Sequence, residues 1–177
     1  REKIAAFPFV EKTEPVKVIK FERKDFPADD KLNKQGEINN LNYGLSFTQL
    51  NLSDIPQVHQ KGISGEGVLI GLLDSGFDWK EHEALSHINV VAEYDFIFDD
   101  TVTANEPGDH FSQDSHGTSV FSIAGGFKDS VLIGAAYGAE FLLAKTEDIR
   151  SETHVEEDNY AAALIWMEGY GVDITSS

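Results

Sequence analysis

The sequence contains an aspartate and a histidine, far apart in the chain, whose side chains can together carry out proton transfer. Asp74 stands in "LLDSG" and His116 in "DSHGTSV". A carboxylate that accepts the Nδ1 proton of an imidazole holds the ring in the tautomer whose Nε2 can take a proton from a hydroxyl. Either residue alone would more often be structural, since Asp-Ser-Gly is also a common turn. As a pair they predict a general base, His116, oriented by Asp74.

The elements around these two residues predict how they meet. Strands are predicted over residues 67–74, 88–94 and 140–145, and helices between residues 53 and 62, from residue 116 and over residues 155–171. Strands that alternate with helices predict an α/β fold with a doubly wound, mostly parallel sheet flanked by helices. In such a sheet, functional side chains gather where the strands end at their carboxyl side. Asp74 stands at one of these ends, and His116 begins a helix.

The aspartate and the histidine lie in two sequence motifs, "GVLIGLLDSG" and "DSHGTSV". Three further segments accompany them, "YGLSFTQLN", "GISGEG" and "GAAYGAEFLLAK". From about Tyr43 to Ser177 the chain resembles the subtilisin-like serine proteases, the subtilases. The resemblance implies a subtilisin-like α/β fold and peptide-bond hydrolysis by an Asp-His-Ser triad in that chain order. Asp74 would then be the orienting carboxylate and His116 the general base.

Ser119 follows the histidine too closely to be the expected nucleophile. A histidine three residues earlier on one helix points its ring back along the chain, away from that serine. The serine motif of the family, Gly-Thr-Ser-Met-Ala, lies well downstream of the histidine, whereas Val120 and Phe121 follow Ser119 here. The resemblance implies a nucleophilic serine and an oxyanion asparagine beyond "VDITSS". We therefore expect an incomplete catalytic domain, inactive by itself; the alternative is a catalytically dead subtilase-fold module used for binding.

The chain is expected to have three parts. Residues 1–19 resemble the end of the inhibitory propeptide that precedes subtilase domains, residues 20–40 have the composition of a linker, and residues 41–177 form the truncated catalytic domain. The alternative for the first part is an extension that is never cleaved. The resemblance also implies a secreted protein whose partners are polypeptide substrates and its own propeptide.

Composition excludes several functions and leaves calcium open. A formal net charge of −17 disfavours nucleic acids and anionic membranes as partners, and the absence of cysteine excludes thiolate chemistry. No cofactor is expected. Relatives bind calcium, but Ala84 stands where a common ligand aspartate would be, so no metal site is carried over. The acidic groups Asp95, Asp99, Asp100, Glu106 and Asp109 are interpreted as a solvated loop, and His110, Asp114 and His116 lack the spacing of a zinc site.

Acidic residues also follow the strand that ends at Lys145. The resemblance implies that this segment borders the substrate, which such enzymes bind in an extended form as an additional strand along an exposed edge. The hypothesis is that Glu147, Asp148 and Glu152 bind substrate and favour basic residues in it.

Overall fold

The computed structural model describes residues 37, 38, 40–151 and 153–177. The predicted propeptide segment, residues 1–19, and most of the predicted linker therefore lie outside the described residues. In chain order the elements are β1 (Glu37–Ile38), β2 (Leu41–Asn42), α1 (Phe47–Leu52), α2 (Ile55–His59), β3 (Leu69–Asp74), β4 (Asn89–Asp95), α3 (Ser115–Gly125), β5 (Phe127–Lys128), β6 (Leu132–Ile133), β7 (Glu140–Lys145), α4 (His154–Tyr170) and β8 (Ile174–Ser176). Two antiparallel pairs, β1 with β2 and β5 with β6, are separate from the main sheet.

The main sheet is parallel throughout the described residues. Its strands lie in the order β4-β7-β3-β8. Asp74 of β3 and Asp95 of β4 both pair with Lys145 of β7, so the three carboxyl-terminal residues form one row. The predicted strands and their direction are confirmed, and the edge that carries Asp74 is the one where functional side chains were expected.

The two long helices cover opposite faces of this sheet. Leu72 packs in a cluster with Phe121 of α3, whereas its neighbour Leu73 packs in a cluster with Met167 of α4. Successive residues of a strand point to opposite faces, so the two clusters are separate layers. This arrangement confirms the doubly wound α/β fold.

The ends of the helices follow local backbone chemistry. α2 begins after Asp54, which has φ 57°, and α4 ends before Gly171, which has φ 78° in the left-handed region that glycine adopts without strain. α1 was not predicted from the sequence. Among the described helices, none is both long and apolar enough to cross a membrane.

Candidate active site

Asp74 is held in place at the end of β3. The residue is 5% exposed, and its Oδ1 accepts the N–H of Ser75 at 2.7 Å and the Ser75 hydroxyl at 3.0 Å. The buried position follows from the sequence, because β3 is apolar up to Leu73 and its next residue must face the carboxyl edge of the sheet. The side chain is thus a fixed carboxylate with acceptor capacity left for another donor.

His116 is the second residue of α3, and a glycine lets that helix begin very close to β3. A Cβ on Gly117 would lie 2.1 Å from the carbonyl oxygen of Gly76 and 3.0 Å from Cβ of Asp74. Gly76 itself has φ 143°, and a Cβ there would lie 2.7 Å from the carbonyl oxygen of Thr103. The glycines of "DSG" and "HGT" therefore permit the backbone approach that brings the histidine to the aspartate.

The imidazole of His116 contacts the carboxylate of Asp74 directly. Its Nδ1 lies 2.9 Å from both Oδ1 and Oδ2. The hydrogen bond to Asp74 and the charge of that carboxylate raise the pKa of His116 above its usual value, and the charge of Glu147 adds to the effect. The contact favours the Nδ1–H tautomer, which leaves the lone pair of the neutral ring on Nε2. The imidazole is 75% exposed, whereas the carboxylate is 7% exposed, so the pair is buried on one side and open on the other.

The hydroxyl of Ser119 is engaged within its own helix. It donates to the carbonyl oxygen of Ser115 at 2.9 Å, one turn earlier. This bond is the back-bonding common for serine inside helices. The structure therefore brings Asp74, and not Ser119, to the ring of His116.

The acidic segment after β7 is only partly described. Glu147 is exposed and close enough to affect the pKa of His116. Asp148 accepts from Arg150 Nε at 2.7 Å, and this hydrogen bond lowers the pKa of its carboxyl. Glu152 lies outside the described residues. The described part thus contains one carboxylate beside the histidine and a second one paired with an arginine.

A buried lysine, which the sequence did not single out, holds the loop between β4 and α3. Lys145 is 0% exposed, and its Nζ lies 2.7 Å from Asp95 Oδ2 and 2.8 Å from Asp109 Oδ2. Burial lowers the pKa of Lys145, but the bonds to Asp109 and Asp95 outweigh burial and raise it, so the side chain is a cation at neutral pH. The available signal was a lysine at the end of an apolar strand, together with acidic residues at and after the end of β4.

Carboxylates also meet near this lysine. Oxygens of Asp95, Asp100 and Glu106 lie within 4.8 Å of one another, and no other such group of three is found among the described residues. Burial and then the charge of Asp100 raise the pKa of Glu106. Oxygen ligands of this kind suit a hard cation. The acidic loop is therefore more clustered than the sequence indicated, although Lys145 already balances part of its charge.

The zinc alternative is not supported by the described side chains. His110 contacts the hydroxyl of Ser112 through Nδ1 at 2.9 Å, and Asp114 accepts the N–H of Asn105. Neither joins His116 in a group that could hold a metal ion within the described residues.

Known proteins resemble this chain in sequence and in structure. Over 89 residues it is 29% identical to neuroendocrine convertase 2 from Bos taurus, a stretch that covers 49% of this chain and 14% of that protein. Fervidolysin from Fervidobacterium pennivorans, a keratinolytic enzyme related to subtilisin, matches with a TM-score of 0.52 and 25% identity, over 67% of this chain and 18% of that one. MycP1, solved with its N-terminal propeptide removed, matches with a TM-score of 0.51 and 18% identity, over 72% of this chain and 36% of that one.

These matches leave most of each relative uncovered, since the chain spans at most 36% of their length. The convertase match is one of sequence, the fervidolysin match combines a shared fold with 25% identity, and the match to MycP1 shows the fold alone. A sequence model of the subtilase family matches residues 65–177, a range that includes Asp74 and His116. This range is more than half of the chain, and the chain therefore belongs to the subtilase family.

Proposed function

We propose that this chain supplies the aspartate and the histidine of a serine endopeptidase. The observation that carries the proposal is the contact of His116 Nδ1 with both oxygens of Asp74, each at 2.9 Å. Membership of the subtilase family supports a serine peptidase. His116 is the general base and Asp74 the orienting carboxylate.

The chemistry follows from the tautomer that the contact favours. His116 Nε2 takes the proton of a serine hydroxyl as that oxygen attacks the carbonyl carbon of a peptide bond. The imidazolium that forms is stabilised by the carboxylate of Asp74, and it later gives its proton to the leaving amine. The reaction needs no metal or organic cofactor at the reacting atoms.

The remaining groups are proposed to come from sequence beyond Ser177. A nucleophilic serine and an oxyanion asparagine complete the site, and base, nucleophile and oxyanion donor act as a unit. The 177 residues by themselves are therefore proposed to be inactive.

The proposal is tested by comparing this chain with the longer protein encoded by its parent gene. Both are assayed for cleavage of a generic peptide, with and without a serine-directed inhibitor. We expect inhibitor-sensitive cleavage from the longer protein only, and we expect His116→Ala to lower kcat by about 10⁴-fold or more. Inhibitor-sensitive cleavage by the short chain would overturn its proposed inactivity. A folded longer protein that does not cleave would instead support the subtilase-fold binding module.

We further propose that the acidic segment after β7 favours basic residues in the substrate. Glu147 is exposed there, and an open hollow of about 220 Å³ beside the segment is lined by residues that include Phe96, Asp148 and Val155. Asp148 accepts from Arg150, and the charge of Glu147 acts on the pKa of His116, so Glu147 is the carboxylate chosen for the test. Glu152 belongs to the same proposal. Profiling the longer protein and its Glu147→Gln variant on a peptide library tests it: a preference for lysine or arginine that weakens in the variant is expected, and identical profiles would contradict it.

The N-terminal segment and the destination are proposals of the same kind. Residues 1–19 would be the end of a propeptide that binds its own catalytic domain, and MycP1 is a relative from which such a segment was removed. The protein would be secreted and would act on polypeptides rather than on nucleic acids or membranes. N-terminal sequencing of the mature protein from the culture medium tests both statements. An uncleaved N-terminus would contradict the propeptide, and retention of the protein in the cell would contradict secretion.

A further inference from the structure

A buried glutamine connects the three segments that surround the proposed base. Gln113 is 1% exposed and lies two residues before α3. Its Nε2 donates to the carbonyl oxygen of Ser75 at 2.7 Å and to the carbonyl oxygen of Glu147, and its Oε1 accepts the N–H of Ile149 at 3.2 Å. One side-chain amide thus holds the loop after β3 and the loop after β7.

Each of these segments carries a charged or titrating group of the site. Ser75 directly follows Asp74, the bonded loop contains Glu147, and Gln113 itself stands three residues before His116. Among the described residues, Asp74 and Glu147 are the carboxylates that raise the pKa of His116. The position of Glu147 relative to the histidine therefore depends on what holds the loop after β7.

The bonding pattern requires an amide of this length. Two carbonyl oxygens face the NH₂ group and one N–H faces the oxygen, so the amide has a single satisfactory orientation. A glutamate would turn an acceptor toward two carbonyl oxygens. Methionine fills a similar volume but leaves all three backbone groups without this partner, and that of Ser75 is buried.

We propose that Gln113 is a positioning residue that fixes the loop after β7, and with it Glu147, relative to the Asp74–His116 pair. The inference rests on the proposed function only in taking His116 as the general base. Nothing in the sequence marks Gln113, because a glutamine in a polar loop is most often exposed.

The test is a double-mutant cycle read at His116. The pKa of His116 is measured by NMR titration in the 177-residue chain, in Glu147→Gln, in Gln113→Met and in the double variant. We expect Glu147→Gln to lower the pKa of His116, Gln113→Met to lower it as well, and Glu147→Gln to add little once Gln113 is gone. An equal lowering by Glu147→Gln in both backgrounds would overturn the proposal, because the loop would then hold its position without Gln113.

A second readout and a matched control separate positioning from general damage. The amide of Ile149 should exchange with solvent faster in Gln113→Met, since its acceptor is lost. Gln57→Met removes an amide that donates to Asn51 on a different segment, and it should change neither the exchange of Ile149 nor the pKa of His116. If Gln113→Met does not fold, Gln113→Asn, which is one methylene too short to span the same groups, takes its place in the cycle.

The outcome is independent of peptide hydrolysis. The cycle needs no nucleophile, so an equal effect of Glu147→Gln in both backgrounds would remove the role of Gln113 and leave the peptidase proposal untouched. An inactive longer protein would remove the peptidase proposal and leave the measured coupling intact.

Discussion

The contact between Asp74 and His116 makes the histidine sensitive to a single change of charge. Asn at position 74 keeps an acceptor oxygen but loses the negative charge, so we expect Asp74→Asn to lower the pKa of His116. NMR titration of the His116 ring protons measures this. Asp173→Asn is the control, because that carboxylate accepts the N–H of Leu69 at the opposite end of β3. If the pKa of His116 were unchanged in Asp74→Asn, the contact would not be what raises that pKa.

The same pair should make stability depend on pH. The pKa of His116 is raised in the folded chain, so protonated His116 stabilises the fold. This contribution to the unfolding free energy is fully present below the usual pKa of 6.5 and is lost as pH rises through the folded pKa. The difference in unfolding free energy between wild type and Asp74→Asn should therefore narrow as pH rises above 6.5. The imidazole is 75% exposed, so solvent screening keeps this change small. Urea unfolding at several pH values measures it, and a difference that does not vary with pH would argue against this linkage.

The buried cation at Lys145 should contribute far more to stability than a surface cation. Lys145→Met keeps most of the side-chain volume but leaves the buried carboxylates of Asp95 and Asp109 without their cation, and such a change costs about 3–5 kcal/mol. Lys128 pairs with Glu83 where the two side chains are 39% and 61% exposed, so Lys128→Met should cost much less. Urea unfolding of both variants measures the difference. Equal losses would show that the buried pair adds nothing beyond a surface pair.

The regular elements near the site were largely predictable, because their signals are local. Strand β7 has the predicted bounds, Glu140–Lys145, and β3 differs from its prediction only at its first residues. Helix α4 ends where a glycine permits the left-handed conformation. Apolar runs and glycines act within a few residues, so the sequence carries these signals directly.

The parts that were missed depend on contacts between distant residues. Neither Gln113 nor Lys145 was singled out from the sequence, because their partners lie far away in the chain, 38 residues for Gln113 and Ser75 and 50 residues for Lys145 and Asp95. The Asp74–His116 pair was predictable despite a separation of 42 residues. The reason is that the chemistry of a carboxylate and an imidazole identifies the pair without any knowledge of the path between them.

The start of helix α3 should tolerate no side chain at Gly117. A Cβ there would lie 2.1 Å from the carbonyl oxygen of Gly76, so in Gly117→Ala the helix must move away from β3. We expect a loss of about 1–3 kcal/mol from the overpacking and a lower pKa for His116 as its contact with Asp74 lengthens. Thermal unfolding and NMR titration measure the two effects.

Gly169 provides a matched control in helix α4. No atom lies within 4 Å of a Cβ placed there, so Gly169→Ala should stabilise the chain by about 0.5–1 kcal/mol through helix propensity alone. If the two alanine variants behaved alike, the close approach of α3 to β3 would have no energetic consequence.

Two properties of the whole surface act in opposite directions on association. The chain has a formal net charge of −17, which makes copies repel each other. It also exposes large apolar side chains, among which Leu45 is 95%, Phe111 86% and Leu52 81% exposed, and β8 lies at an edge of the described sheet. Exposed apolar groups and open strand edges favour association once repulsion is weakened.

Salt should therefore shift the balance toward association. The Debye length falls from about 30 Å at 0.01 M to about 8–10 Å near 0.1–0.15 M ionic strength, so repulsion between copies is largely screened at the higher concentration, whereas apolar burial is not weakened. Sedimentation velocity at both ionic strengths should show a larger mean mass in the higher salt. Leu45→Ser combined with Leu52→Ser keeps the charge and removes two of the most exposed apolar groups, so it should reduce the increase. A mass that falls with salt would mean that charge contacts, and not apolar ones, join the copies.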